Sequence, residues 1–322
     1  MQSFRSLVQQ FEQRVSAPDL FPVQPQNLYD PCRYLLSLGG KRIRPVVCLM
    51  AHELFAPIKE EAWNAALAIE LFHNFTLIHD DIMDKAPLRR GFPTIHAKYG
   101  LTAGILGGDA MSIYAYQALS RVTTNFREVL DVFNTTAIQV CDGQQMDMDF
   151  ESRNDVSSKE YIEMISLKTS VLLAASLKIG ALVAGADTQA AEALYAFGKH
   201  LGIAFQLQDD YLDAFGTSKI GKQVGGDILA NKKTYLHIQA VDHAATTQLA
   251  SIEAWLDRHD APEQKVTAML DIFRDTQADE KCREAVAYYS NKAFEKLSEV
   301  SISEDKKANL HSLAKDLLYR EQ

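Results

Sequence analysis

The stretch Leu71–Gly91, LFHNFTLIHDDIMDKAPLRRG, is an apolar run that ends in three aspartates and then two arginines. On a helix, Asp80 and Asp84 share one face, Asp81 lies about 100° round, and His73 lies about 20° from Asp80. Crowded carboxylates repel one another at neutral pH, which lowers stability unless a cation lies between them. A solvated acidic patch at a helix end is the simpler interpretation of this motif alone, and a cation site is the alternative.

A second aspartate cluster strengthens the interpretation as a cation site. The sequence QDDYLD, residues 208–213, repeats the same spacing after another apolar segment. Mg²⁺ takes a few carboxylates together with substrate phosphate oxygens and keeps some of its waters. We therefore predict that both clusters face a cavity and bind Mg²⁺ when a phosphorylated substrate arrives. The predicted metal ligands are Asp80, Asp81, Asp84, Asp209, Asp210 and Asp213.

Basic residues lie beside both clusters, although the chain is acidic overall. The loop GGKRIRP, residues 39–45, has hinge glycines and three cations just before a predicted helix, which favours anion binding. Arg89 and Arg90 follow the first cluster. Further cations are Lys168, Lys219, Lys222, Lys232 and Lys233. Any one of them could be a solvated surface residue, but their placement beside both clusters indicates a polyphosphate ligand.

Composition and charge exclude several classes of protein. The chain has 322 residues, 47% of them hydrophobic, which is enough for a large core. Its net charge of −9 argues against a nucleic-acid surface and a general anionic-membrane binder. The four cysteines lie far apart without metal-ligand or disulfide spacing, which suits the cytoplasm. No uninterrupted apolar run of about 18 residues is present, so we predict no transmembrane segment.

Hydrophobic residues recur with the helical period throughout the chain, and alternation typical of strands is almost absent. We therefore predict an all-α protein with a single domain over residues 1–322. Long helices are expected over about 101–121, 125–149 and 158–183. Another helix is expected to precede Gly202, followed by a segment through the second cluster that ends at Gly216.

An ordered set of motifs resembles the trans-isoprenyl diphosphate synthases, or polyprenyl synthetases. The set begins with GGKRIRP and continues with DDIMD, four residues and RRG. It then includes Gly143-Gln144 with Asp147, Lys168-Thr169 and FQLQDDYLD. GKQVGGD at 221–227 and NKKT at 231–234 complete it. One DDxxD motif is weakly specific, whereas this ordered set is very specific. Asn231 departs from the family pattern, which often has glycine there, and this concerns loop geometry.

The resemblance implies an antiparallel helical bundle around a central cavity, the isoprenoid synthase fold, in a homodimer with roughly three Mg²⁺ ions bound alongside substrate. Isopentenyl diphosphate would be bound by Gly40, Lys41, Arg44, His73 and Arg90. The allylic diphosphate would be bound by Arg89, Lys168, Lys222 and Lys232, with Thr169 and Gln206 near the developing carbocation. The resemblance implies the following catalytic residues: Asp80, Asp81, Asp84, Arg89, Lys168, Thr169, Gln206, Asp209, Lys222 and Lys232.

The activity so implied is head-to-tail condensation of isopentenyl diphosphate with an allylic diphosphate: dimethylallyl, geranyl or farnesyl. Cationic groups would stabilise the leaving diphosphate, and apolar walls would keep water from the carbocation. Residues Phe75 and Thr76, five and four positions before Asp80, match family positions that limit chain length. A simple helical wheel puts Phe75 about 140° from Asp80, so Phe72 is a further candidate. We expect a C15–C20 all-trans product, with a medium- or long-chain product as the alternative.

Two other functions remain as alternatives. A class I terpene cyclase shares the first aspartate motif and the helical fold, but the DDYLD motif and GGKRIRP disfavour it. A non-catalytic regulatory subunit usually has degraded aspartate motifs, and both are intact in this chain.

Overall fold

The computed structural model describes residues 1–216, 225–258 and 260–318, and it confirms the all-α prediction. A two-residue hairpin pairs β1 (Leu88–Arg89) with β2 (Phe92–Pro93). The helices are α1 Phe4–Val15, α2 Gln26–Ser37, α3 Ile43–Phe55, α4 Glu60–Met83, α5 Ile95–Tyr99, α6 Leu101–Leu119, α7 Phe126–Ser152, α8 Ser158–Ile165, α9 Val171–Val183, α10 Thr188–Phe215, α11 Gly226–Leu229, α12 Tyr235–His243, α13 Thr246–Leu256, α14 Pro262–Asp275, α15 Ala278–Ser298 and α16 Glu304–Leu318.

The chain divides into two compact units. Unit 1 comprises Met1–Asn134, Ala175–Tyr195 and Val300–Leu310. Unit 2 comprises Thr135–Ala174, Ala196–Glu299 and the chain from His311 onwards. The first aspartate cluster belongs to unit 1 and the second to unit 2. The single domain over residues 1–322 stays a prediction.

The longest helix of unit 1 that carries predicted site residues is α4, whose carboxyl end holds the first aspartates. Its buried alanines present little bulk, and α6 contributes glycines to the contact between the two helices. A Cβ on Gly104 would lie 2.7 Å from Ile82 Cδ1, and one on Gly108 would lie 2.3 Å from His79 Nε2. Because real Cβ atoms do not approach other atoms so closely, these glycines fix how closely α6 packs on the end of α4.

Two expected helices between residues 158 and 216 differ from the structure in detail, and one boundary is wrong. The predicted helix over 158–183 contains a π-helical turn, Ser166–Ser170, between α8 and α9. The expected break near Gly202 is wrong, because α10 continues through it to Phe215. Gly202 serves packing instead: a Cβ there would lie 2.7 Å from Ser170 Cα. The glycine therefore allows α10 to lie against the π turn.

One described helical stretch, Ser158–Val183, has the length and hydropathy of a membrane span. In its most apolar window, 78% of the residues are buried inside the protein. This degree of burial is that of a core helix.

Candidate functional site

The first aspartate motif lies at the carboxyl end of α4. Asp80 is half-buried, and Asp84 is the exposed C-cap residue, whose backbone N–H donates to the Asp80 carbonyl at 2.8 Å. The end of a helix carries partial negative charge, so carboxylates there are electrostatically unfavourable. A bound cation would reduce this repulsion, so the charge at the end of α4 favours a cation.

Asp81 has a different environment from its two neighbours. It is buried, and it accepts two hydrogen bonds from Arg89, from Nε and Nη2, both at 2.8 Å. The hairpin produces this pairing because Arg90 and Gly91, both with positive φ, turn the chain back after β1. Asp81 and Arg89, predicted as metal ligand and phosphate ligand, therefore bind each other in this structure.

A pocket of cationic side chains surrounds His73, also on α4. Arg44 Nη1 lies 3.2 Å from His73 Nε2. Burial lowers the pKa of His73 well below its ordinary value, and the nearby Arg44 and Arg90 guanidinium groups lower it further. The imidazole is therefore neutral near pH 7, and its Nε2 can accept a hydrogen bond from Arg44. Burial also lowers the pKa of Arg44 itself.

Gly40 brings Arg90 to the same pocket. Its φ of +151° suits glycine, and a Cβ there would lie 3.0 Å from both terminal nitrogens of Arg90. Lys41, the next residue, is exposed. The structure thus gathers several residues that sequence analysis assigned to one diphosphate, and their combined charge favours an anion.

The aspartates of the second motif, on α10, also have different surroundings. Asp210 is buried and accepts hydrogen bonds from Tyr161 Oη at 2.5 Å and from Gln206 Nε2 at 3.3 Å. Burial raises the pKa of Asp210 to about 7. Asp213 is half-buried, and its Oδ2 accepts from the backbone N–H of Asp227 at 2.9 Å. Asp210 and Gln206, assigned to separate roles from the sequence, therefore contact each other.

The π turn presents two predicted site residues, Lys168 and Thr169. Lys168 Nζ donates to Asp147 Oδ2 at 2.5 Å, and Thr169 is half-buried. A Cβ on Gly143 would lie 2.2 Å from the Lys168 backbone nitrogen, so α7 approaches the turn at backbone contact. π turns of this kind occur often at functional sites.

Two further members of the predicted set lie on α10 and between α11 and α12. Lys232 Nζ lies 3.2 Å from Asp227 Oδ1, and Asp209 is half-buried on α10. Lys222 and Lys219 lie outside the described residues, as do residues 319–322.

The residues predicted to limit product chain length all lie on α4, where two pack among aromatic rings and the third forms a hydrogen bond. Phe72 is buried and packs against Phe133 with ring centroids 5.3 Å apart, and against Phe75 at 5.5 Å. Phe75 is half-buried and also packs against His79 at 4.8 Å. Thr76 donates its hydroxyl hydrogen to the His73 carbonyl at 2.8 Å. The aromatic residues form one wall on α4, and Thr76 lies beside His73.

Sequence analysis missed Tyr161 as a partner of the second aspartate motif. The residue lies 49 positions from Asp210, inside an ordinary amphipathic helix, and its spacing gives no signal of the contact. Asp227 was quoted only as part of a motif, although it contacts both Asp213 and Lys232.

The aspartates fit a hard divalent cation by the chemistry of their donors. Across residues 1–216, 225–258 and 260–318, no three His, Cys, Asp or Glu side chains converge into a group that could hold a metal ion. Mg²⁺ does not require three converging protein ligands, because one or two carboxylates together with substrate phosphates and waters suffice. Asp80 and Asp84 on α4 supply oxygen donors of this kind.

Comparison with known proteins adds independent information. The profile of the polyprenyl synthetase family matches residues 25–273. A geranylgeranyl diphosphate synthase of Methanosarcina mazei is 42% identical, over 81% of this chain and 84% of that relative. A geranylfarnesyl diphosphate synthase of Natronomonas pharaonis is 41% identical, over 69% of this chain and 71% of the relative.

A solved structure extends the similarity to the whole chain. The crystal structure of a geranylgeranyl pyrophosphate synthase is 41% identical, covers 100% of both chains and gives a TM-score of 0.94. The predicted resemblance and the fold expected from it are therefore confirmed.

Proposed function

The chain belongs to the polyprenyl synthetase family of prenyltransferases, and on that premise we propose that it condenses isopentenyl diphosphate with allylic diphosphates to make geranylgeranyl diphosphate. The observation that carries this proposal is the cationic pocket around His73, seven residues before Asp80 on the same helix. A pocket for one diphosphate beside carboxylates suited to a metal-bound diphosphate matches a reaction between two diphosphates.

In the proposed site, unit 1 binds isopentenyl diphosphate. Arg44 and Arg90 supply charged donors, while neutral His73 contributes a hydrogen bond without a further charge. Gly40 leaves room for Arg90 and a close approach of the backbone. Lys41 is exposed on the same loop and completes the proposed set.

The allylic diphosphate is proposed to bind the remaining cations, with Mg²⁺ held by the aspartates. When bound, Mg²⁺ neutralises diphosphate oxygens and so favours departure of that group. We propose that Asp80, Asp81, Asp84, Asp209, Asp210 and Asp213 would hold Mg²⁺. Asp81 and Asp210 also accept hydrogen bonds from Arg89 and Tyr161. The cations proposed for this diphosphate are Arg89, Lys168, Lys222 and Lys232.

The chain's own groups would then act by position and charge. Lys168 is held by Asp147, and the π turn presents Thr169 beside it. We propose that the Thr169 hydroxyl and the Gln206 amide stabilise positive charge on the allylic carbon through their oxygen dipoles. The proton lost from isopentenyl diphosphate goes to the departing diphosphate in this scheme.

A C20 product is favoured within the predicted C15–C20 range. The Methanosarcina mazei relative is named for a geranylgeranyl product. An extension to C25 is the second candidate, since the relative from Natronomonas pharaonis is named for a geranylfarnesyl product. The aromatic wall formed by Phe72 and Phe75 is proposed to decide between them.

We also propose that the enzyme is a homodimer. The helix α6 carries large apolar side chains along one exposed face, with exposures from 38% to 68%. They are Leu101, Ile105, Ile113 and Tyr116. Exposed apolar patches mark interaction sites, and we propose a second copy of this chain as the partner. A cytoplasmic location is proposed as well, because Cys32, Cys48 and Cys282 are buried thiols.

The test of the proposed pocket is kinetic. Arg44→Gln should raise the KM for isopentenyl diphosphate by about tenfold or more, because a charged hydrogen bond to phosphate is worth roughly 1.5–3 kcal/mol. Arg127→Gln, which removes an exposed arginine from α7, is the matched control. Equal effects of the two variants would contradict the assignment of the pocket.

A further inference from the structure

Arg42 lies between two proposed diphosphate ligands but points away from them. It occupies the centre of the GGKRIRP loop, yet its side chain is only 1% exposed, whereas Lys41 on one side is exposed. The loop therefore supplies fewer cations to an anion than its sequence indicates. The buried guanidinium group must have another role.

The Arg42 guanidinium binds three separate helices of unit 1. Nη1 donates to Glu70 Oε1 on α4 at 2.5 Å, and Nε donates to Glu12 Oε1 on α1 at 2.7 Å. Nη2 donates to the Leu36 carbonyl on α2 at 2.7 Å. One side chain thus ties the loop to α1, α2 and α4 at once.

Glu70 is the most buried partner in this network. Its side chain is 4% exposed, and its Oε1 also accepts a hydrogen bond from Asn74 Nδ2 at 3.0 Å. Glu70 lies on α4 one turn before His73, so the carboxylate and the imidazole belong to the same helical segment. The contact between Arg42 and Glu70 therefore fixes the position of the loop relative to α4, the helix that carries His73.

The backbone at Arg42 shows that the loop conformation is imposed by these contacts. Its φ of 48° and ψ of 34° are left-handed, a conformation that non-glycine residues adopt at a cost. Such a residue persists only when its surroundings determine it. Arg42 is also the residue before α3, so its conformation sets the direction in which Arg44, two residues later, meets His73.

We propose that Glu70 is a positioning residue for the isopentenyl diphosphate site, acting through Arg42 to hold the 39–44 loop. The inference rests on the proposed function of that pocket. Glu70 does not contact the substrate in this scheme. Its carboxylate fixes Arg42, and Arg42 fixes the backbone that presents Lys41 and Arg44 to the diphosphate.

The alternative is an ion pair that contributes only to stability. A stabilising pair would lower the melting temperature when broken and would affect both substrates alike. A positioning pair would affect the substrate bound by the loop and leave the other substrate nearly unchanged. The two roles are therefore separated by comparing KM values for the two substrates.

The test uses Glu70→Gln in the full chain, with Glu60→Gln as the matched control. Glu60 also pairs with an arginine of α1, Arg14 at 2.5 Å, but it lies at the far end of α4. Glu70→Gln should raise the KM for isopentenyl diphosphate about tenfold, because small misplacements of binding groups have large effects. The KM for farnesyl diphosphate should change less than about twofold, and Glu60→Gln should leave both values unchanged.

A second measurement separates this inference from the proposed function. Calorimetric titration of isopentenyl diphosphate, without metal or allylic substrate, reports binding even if no condensation occurs. Weaker binding to Glu70→Gln than to the Glu60→Gln control supports the positioning role. Equal binding overturns it, and absence of turnover by the natural chain would count against the proposed function alone.

Variants at the other partners guard against loss of folding. Glu12→Gln, at a residue 34% exposed, should show the same selective effect at smaller size. Glu70→Gln combined with Arg42→Gln should be no worse than Arg42→Gln alone, since Glu70 acts through Arg42. Additive effects in the double variant, or parallel increases in both KM values, would overturn the proposal.

Discussion

Arg89 and Asp81, eight residues apart, are joined by two parallel hydrogen bonds of 2.8 Å. The pair joins the carboxyl end of α4 to the first strand of the hairpin. Two-point pairing of arginine with a carboxylate is strong and geometrically specific. It keeps a buried carboxylate neutralised before any substrate or metal arrives.

Removing Arg89 should affect both folding and catalysis. Arg89→Ala leaves Asp81 buried without its cation, which should destabilise the protein by about 3 kcal/mol. Removal of a charged donor from the leaving diphosphate should also lower kcat by roughly a hundredfold. Thermal unfolding and initial rates measure the two effects.

The double variant Asp81→Ala with Arg89→Ala separates them. It should recover most of the lost stability, since no buried charge remains unpaired, while activity stays low. Recovery of activity along with stability would show that Arg89 acts only in folding.

A second prediction concerns stability and kcat, and it follows from the close contact between Gly143 and the π turn. Gly143→Ala would bring a methyl group within 2.2 Å of the Lys168 backbone nitrogen, so the turn must move. We expect a loss of about 1–3 kcal/mol in stability and a fall in kcat. Gly107→Ala is the control, because its Cβ would meet nothing closer than 3.7 Å. If Gly143→Ala retains full activity, the position of Lys168 is not critical.

The aromatic wall on α4 makes a prediction about product length. Phe75→Ala should lengthen the product, because it removes a half-buried ring from the wall. Phe72→Ala should cost about 3–5 kcal/mol, since Phe72 is almost fully buried among rings. Product chromatography of both variants tests the prediction. An unchanged product from Phe75→Ala would show that Phe75 does not limit product length.

His237 in unit 2 makes a prediction about acid stability. Burial and Lys233 lower the pKa of His237 from 6.5 to about 4. Because the unfolded chain binds the proton more readily, its stabilising contribution is complete above about pH 6.5 and is lost as the pH falls to about 4. The loss amounts to roughly 3 kcal/mol.

His237→Gln should reduce the fall in melting temperature between pH 7 and pH 5. His243→Gln, at an exposed residue on the same helix, should leave that fall unchanged. Identical pH profiles for the natural chain and His237→Gln would contradict the assignment.

Much of the fold followed from the sequence, for identifiable reasons. Helical periodicity predicted the all-α fold, and the motif order predicted the family. Gly202 misled the prediction because a helix can accept glycine where another backbone must come close. The π turn at 166–170 has no periodic signature, since it adds only one residue to a turn.

The candidate site was predictable in composition but not in pairing. Spacing located the aspartates, arginines and His73. It could not show that Asp81 binds Arg89, that Asp210 binds Tyr161, or that Arg42 turns inward to Glu70. These partners depend on which helices pack together, and side-chain direction within a motif is decided by tertiary contacts.

The most direct test of the central claim is product chromatography with labelled isopentenyl diphosphate, Mg²⁺ and farnesyl diphosphate. The predicted result is a single labelled product one isoprene unit longer than the starter, geranylgeranyl diphosphate. A terpene cyclase would incorporate no label. Absence of any labelled prenyl diphosphate with dimethylallyl, geranyl and farnesyl starters alike would contradict the proposed function.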